Sequence, residues 1–162
     1  MKDRGFTLTE LLVAVAIASV LLALAGPAFT RQRAQAALRS ASGQTMAALH
    51  LARRLALARG QSVTVCPSSD GQRCGFGGGQ WLLFANAAGG TDSHLDGGEE
   101  LLRQWTLPAG VLVSGTRGYA AFQARAGAAA TVTFEFRHRG APGVARSVVV
   151  SHTGRPRLVV GN

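Results

Sequence analysis

The chain opens with a short charged segment and then turns apolar. From Leu11 to Thr30 no residue carries a charge, and most are Leu, Val, Ala or Ile. A run of that length can span a bilayer as a helix, with Lys2 and Arg4 holding its start on the cytoplasmic side. The stretch that follows, RQRAQAALRSASGQTMAALHLARRLALARG, is rich in Ala, Leu, Arg and Gln, all good helix formers. Leu38, Thr45, Leu49, Ala52 and Ala56 fall close to one face of it, with Met46 and Leu57 beside them. The arginines on the other face read as solvated. Gly43 is a weak spot, and Gly60 after Arg59 is a natural C-cap. The pattern predicts one long helix, its first half in the membrane and its second half packed on a globular domain.

Past Gly60 the period becomes strand-like. Short β-branched runs separated by Gly, Pro, Asp and Ser predict strands near Ser62–Cys66, Gln80–Phe84, Leu101–Leu107, Val111–Ser114, Ala120–Phe122, Thr131–Arg137, Arg146–Ser151 and Arg157–Val160. Thr131 to Phe136 alternates cleanly, as in a sheet with one buried face. No internal repeat is visible. The fold class is α+β, a long helix against antiparallel sheet.

Charge sharpens this picture. Among 162 residues, 17 are basic and 8 acidic, giving +9, and every basic residue but Lys2 is arginine. Such a balance favours polyanionic or acidic partners, although arginine-rich coding alone would also raise it. The placement says more. Arg117, Arg125, Arg137, Arg139, Arg146, Arg155 and Arg157 fill the last third with Glu135 as the one acid, while Asp92, Asp96, Glu99 and Glu100 gather in a middle loop.

Two features of the N-terminal end go beyond a plain membrane anchor or a secretory signal, for which ALAGPA would be the cleavage site. Gly5-Phe6 precedes the apolar run, and Glu10 sits inside it, where a carboxylate is expensive and has a designated partner. MKDRGFTLTELLVAVAIASVLLALAGPAF resembles the prepilin signature of type IV pilins and of the pseudopilins of type II secretion. The resemblance implies cleavage after Gly5 by a prepilin peptidase, methylation of the new Phe6 amine, and neutralisation of a neighbouring subunit's Phe6 amine by Glu10. Pro27 stands where pilin helices commonly carry a proline, and would kink or loosen the helix locally. The divisions are then a leader at 1–5, a membrane and filament-core half-helix at 6–30, an amphipathic half-helix at 31–59 and a β domain at 60–162. The subunit would wait in the inner membrane with its C-terminal domain in the periplasm and later join a surface pilus.

Export to an oxidising compartment makes a disulfide between Cys66 and Cys74 the natural outcome for the only two cysteines. No histidine stands at metal spacing beside them, and the acids of NAAGGTDSHLDGGEE do not follow a calcium-loop spacing. No metal or cofactor is expected. His50, His94, His138 and His152 fall in no catalytic motif, and GFGGG follows a cysteine loop rather than opening a helix, so no enzyme is expected either.

The body narrows the family. LARRLALARGQSVTVCPSSDGQRC, WLLFANAAGG…DGGEELLR and VVVSHTGRPR resemble the FimT/GspH group of minor pilins and minor pseudopilins, though Ala85-Asn86 stands where the group carries an acidic Asp-x-Asn. Members ending in Gly-Arg-x-Arg are linked to DNA capture in natural transformation, and here that motif is Gly154-Arg155-Pro156-Arg157. Residues i and i+2 of an extended chain face the same way, so Arg155 and Arg157 form a fork suited to phosphate. Arg137, Arg139 and Arg146 are candidates to extend the patch, with DNA gripped by its backbone regardless of sequence. His152 is assigned to the turn. Two other readings stay open: a type II secretion pseudopilin, and a minor pilin that primes pilus assembly through protein contacts alone.

Overall fold

The computed structural model describes residues 7–88, 90, 92–124 and 129–161, without the side chains of residues 23–27. Thr7 starts the helix: its Oγ1 accepts from the Glu10 N–H at 3.3 Å, and its own N–H donates to Glu10 Oε2 at 2.9 Å. This reciprocal capping box satisfies two of the orphan donors at a helix start. α1 then runs unbroken over Leu8–Arg59. It ends where Gly60 turns left-handed at φ 67° and donates its N–H to Ala56 O, a conformation open to glycine at little cost. Among the described residues no helix is long and apolar enough to cross a membrane; the charge-free run contains the five residues whose side chains lie outside the described set.

The second half of α1 buries one stripe: Ala34, Leu38, Ala41, Ser42, Thr45, Ala48, Leu49, Ala52 and Ala56. The expected positions are there, apart from two flanking ones. Leu57 is 49% exposed and Met46 half-buried. The alanines do the close packing, because small side chains let the helix backbone approach the sheets.

Eight strands follow among the described residues: β1 (Val63–Ser68), β2 (Gln80–Ala85), β3 (Glu100–Thr106), β4 (Val111–Gly115), β5 (Ala120–Phe122), β6 (Val132–His138), β7 (Ala141–Val150) and β8 (Pro156–Gly161). They form two four-stranded sheets, ordered β3-β2-β1-β5 and β4-β6-β7-β8, with every pairing antiparallel. The α+β class and the long helix on antiparallel sheet are as expected. α1 packs across both sheets, chiefly on β7, β6 and β1.

Trp81 of β2 joins the layers. Its ring lies 5.1 Å from Phe134 and 6.1 Å from Phe136 of the second sheet, and 5.7 Å from Trp105. A smaller cluster of Cys66, Leu82 and Phe84, with Leu95 and Tyr119 against it, fills the other face of the first sheet. β1 is therefore buried along its whole length.

Several strands run longer than the sequence pattern predicts, and β7 and β1 do so through a proline. β7 begins at Ala141, not Arg146, and includes Pro142 and Gly143. β8 pairs β7 only from Ala145 onward, so the missing N–H of Pro142 removes no ladder bond on that side. β1 likewise runs on through Pro67, beyond the three residues that pair with β5.

Candidate nucleic-acid interface

The arginine fork sits on the β7–β8 hairpin. Ser151 N–H donates to Arg155 O at 3.1 Å, closing a three-residue loop, and Gly154 N–H donates to Ser151 O at 2.8 Å. Gly154 is buried and left-handed at φ 69°, which suits the residue that closes such a loop. Ser151 Oγ also accepts from Arg155 N–H at 3.3 Å and meets Thr153 Oγ1 at 2.8 Å. His152 lies within this loop, and its carbonyl ties the loop to Ala129 by accepting from that residue's N–H at 3.3 Å; its side chain is exposed.

Pro156 pairs with Val150 on the outermost strand of the sheet, as its missing donor requires. Arg157 pairs with Val149, between the buried Val148 and Val150, and so stands on the face turned away from the core. Arg155, two positions earlier, is equally exposed. Extended geometry separates the two by roughly 7 Å. Neither takes part in an ion pair among the described residues.

The structure does not gather the other three arginines around this fork. Arg137 pairs with Ala145, toward the far end of the sheet, and its Nε donates to Glu135 Oε1. Arg139 lies in the β6–β7 turn, with its N–H on Gly110 O at 3.0 Å. Arg146 pairs with Phe136 on the helix-facing side, where Nη1 reaches Ser42 Oγ at 3.5 Å. Alternation explains this: Arg137 and Arg146 belong to opposite faces, and Arg139 to the opposite turn.

Cys66 and Cys74 are bridged, with Cα atoms 5.4 Å apart. The loop between them is organised by Asp70, whose Oδ1 accepts from the N–H groups of Gln72 and Arg73 and from Ser68 Oγ. GFGGG packs against this loop: a Cβ on Gly78 would sit 2.1 Å from Ser68 O. That close approach accounts for glycine there without any ligand.

The acidic loop is anchored at the helix end. Arg59 meets Glu100 at 2.6 Å, and Ser62 Oγ donates to Asp92 Oδ1 at 3.1 Å. Burial pushes the Glu99 carboxyl above its ordinary range, with the charges of Asp96 and Asp92 adding to it. Among the described residues no three His, Cys, Asp or Glu side chains are placed to hold a metal. Asn86, which the sequence marks only as a departure, ties this loop to β1. Its Nδ2 donates to Asp92 Oδ1 at 2.5 Å, Ser62 Oγ at 3.0 Å and Thr64 Oγ1 at 3.1 Å. A signal was present in the sequence: a polar residue directly after the apolar run of β2. Gly5 and Phe6, the expected cleavage and methylation positions, lie outside the described residues. Glu10 is described only in its own helix cap.

A half-free helix rooted in two small antiparallel sheets is the architecture of a type IV pilin-like subunit, and solved structures share it. The chain is similar to the minor pseudopilin EpsH from the type 2 secretion system of Vibrio cholerae, with a TM-score of 0.57 at 17% identity over 76% of this chain and 96% of that one. It is similar also to the type IV minor pilin FimU of Pseudomonas aeruginosa, with a TM-score of 0.56 at 19% identity over 83% and 92%. Residues 41–154 match the family model described as type II transport protein GspH, and residues 1–26 match the prokaryotic N-terminal methylation motif. No curated protein sequence matches significantly. The chain belongs to the GspH/FimT family of minor pilins and minor pseudopilins. These families are structural rather than enzymatic, and their members assemble with other pilins.

Proposed function

We propose that this chain is a minor type IV pilin that captures extracellular DNA for natural transformation, gripping phosphates with Arg155 and Arg157. The observation that carries this reading is the β7–β8 hairpin: two exposed arginines without ion-pair partners among the described residues, held on a loop closed by Gly154. Guanidinium groups so placed bind phosphate oxygens bidentately. Contacts of this kind grip the phosphate backbone and not the base edges, so duplexes of any sequence are bound alike.

The membrane and assembly steps belong to the same proposal. The matched methylation motif and the charge-free run from Leu11 to Thr30 support anchoring in the inner membrane, with the β domain in the periplasm. They also support cleavage after Gly5 by a prepilin peptidase and methylation of Phe6. On assembly Glu10 exchanges its cap on Thr7 for the Phe6 amine of a neighbouring pilin, since a buried carboxylate and a buried ammonium each need the other. The subunit then leaves the membrane for the pilus.

A type II secretion role has its own support in the name of the matched family and in the likeness to EpsH. The test is fluorescence anisotropy of a labelled duplex with the full chain in nonionic detergent across a salt series. Wild type binds and weakens with salt, and Arg155→Gln/Arg157→Gln binds less with a flatter slope. A wild type that ignores DNA at low salt would assign the basic face to protein contacts, in secretion or in priming of pilus assembly.

A further inference from the structure

The second basic zone has a different setting. α1 has no acidic residue after Glu10, and the next acid in the chain is Asp70. The charge-free run stops at Thr30, and Arg31 and Arg33 follow at once. At this level of the helix a cleft of about 480 Å³ is lined by Arg31 and Gln35 on one side and by Gly140 to Val144 on the other. The β6–β7 turn, and Arg139 with it, thus stands beside the first helical turn past the apolar run. Arg31, Arg33 and Arg139 are all exposed. The Arg33 guanidinium lies 4.9 Å from the centre of the Phe29 ring, so its stem follows the apolar surface back toward the run. The nearest acid in sequence, Glu135, is occupied by Arg137.

The acidic loop of Asp92 to Glu100 lies at the other end of α1, where Glu100 meets Arg59 and Asp92 meets Ser62. From Arg31 to Arg59 the helix rises about 42 Å at 1.5 Å per residue. The acidic loop is therefore remote from the point where the apolar run stops, and there Arg31, Arg33 and Arg139 have no ion-pair partner among the described residues. Basic residues beside a membrane span are biased toward the cytoplasmic side. Arginines directly past the exported end run against that bias and call for a partner on that side.

We infer that Arg31, Arg33 and Arg139 form a collar that binds the phosphates of anionic phospholipid headgroups in the leaflet where the helix leaves the membrane. The cleft between α1 and the β6–β7 turn admits a headgroup. Phe29 marks the boundary with the acyl chains, and arginine supplies the bidentate phosphate contact. The collar holds the domain upright on the bilayer before the subunit enters a filament. This rests on the membrane anchoring proposed above.

The experiment uses the full chain reconstituted into phosphatidylcholine vesicles with and without phosphatidylglycerol, followed by flotation and amide hydrogen exchange. Exchange across residues 138–146 is expected to slow in the anionic vesicles by about fivefold per engaged arginine. The Arg31→Gln/Arg33→Gln/Arg139→Gln variant is expected to exchange equally in both vesicles, while its β1–β2 pairing stays protected as a check of folding. Arg139→Gln alone serves should the triple variant misfold. A chain that floats with both vesicles yet exchanges equally in them overturns the collar and leaves the anchor standing. A chain that floats with neither overturns both. Equal protection by inorganic phosphate in neutral vesicles overturns the lipid assignment in favour of a soluble anion.

Discussion

Asp70 is the residue on which the disulfide loop turns. Its Oδ1 accepts from the N–H groups of Arg73 at 2.8 Å and Gln72 at 2.9 Å, and from Ser68 Oγ at 3.1 Å. These donors favour the charged carboxylate, the Arg73 and Gln72 bonds most, and hold it down from 3.8 to about 2. A carboxylate depressed in the folded state contributes stability above its ordinary value and loses it as pH falls through the folded one. The loop is therefore expected to loosen as pH drops from 3.8 toward about 2, read as movement of the Gln72 and Arg73 amide resonances. Asp70→Asn should show a loosened loop at neutral pH and no further transition in that window. An acid transition of the same size in Asp70→Asn would assign it to another group. At this scale the sequence was uneven. Gly60 announced a left-handed position because few other residues take one cheaply, whereas Asn86 acts through three partners brought together by the sheet, and no spacing rule connects them.

The elements divide in the same way. α1 was readable from end to end, since a 3.6-residue period, good formers and a glycine stop all agree. β7 was not: Pro142 and Gly143 read as loop, and only the missing β8 partner at that level makes them acceptable in a strand. Pro67 hides the end of β1 for the same reason. The faces of strands were less legible still, and that decided the site. Alternation is certain once register is known, but Arg146 was assignable to the core side only after the bulge between Arg137 and His138 fixed the β6–β7 pairing. The Cys66–Cys74 bridge belongs to this scale too, because it staples the loop that covers Leu82 and Phe84. A loop this short gives a chain-entropy stabilisation of about 2–3 kcal/mol. Cys66→Ala/Cys74→Ala should lose that amount in denaturant titration, with the main core around Trp81 intact by near-ultraviolet circular dichroism. A loss well below 1 kcal/mol would mean that the covering loop is held by Asp70 and its neighbours alone.

For the whole molecule, the important quantity is the distance between the two basic zones. β7 is ten residues long and separates the β6–β7 turn from the β7–β8 hairpin by about 30 Å. At physiological ionic strength the screening length is about 8 Å, so exposed charges at one end have almost no influence at the other. If the fork alone grips DNA, each lost phosphate contact lowers the salt slope by about 0.9. Arg155→Gln/Arg157→Gln should then flatten the slope by about 1.8. Arg137→Gln/Arg139→Gln, which removes the same formal charge at the far turn, should leave both affinity and slope close to wild type at physiological salt. Anisotropy titrations of the two double variants side by side decide between local contact and net charge. Equal weakening by both would show that DNA responds to the overall +9 rather than to a site. A larger effect from the far pair would transfer the nucleic-acid contact to the β6–β7 turn and leave Arg155 and Arg157 to meet another pilin.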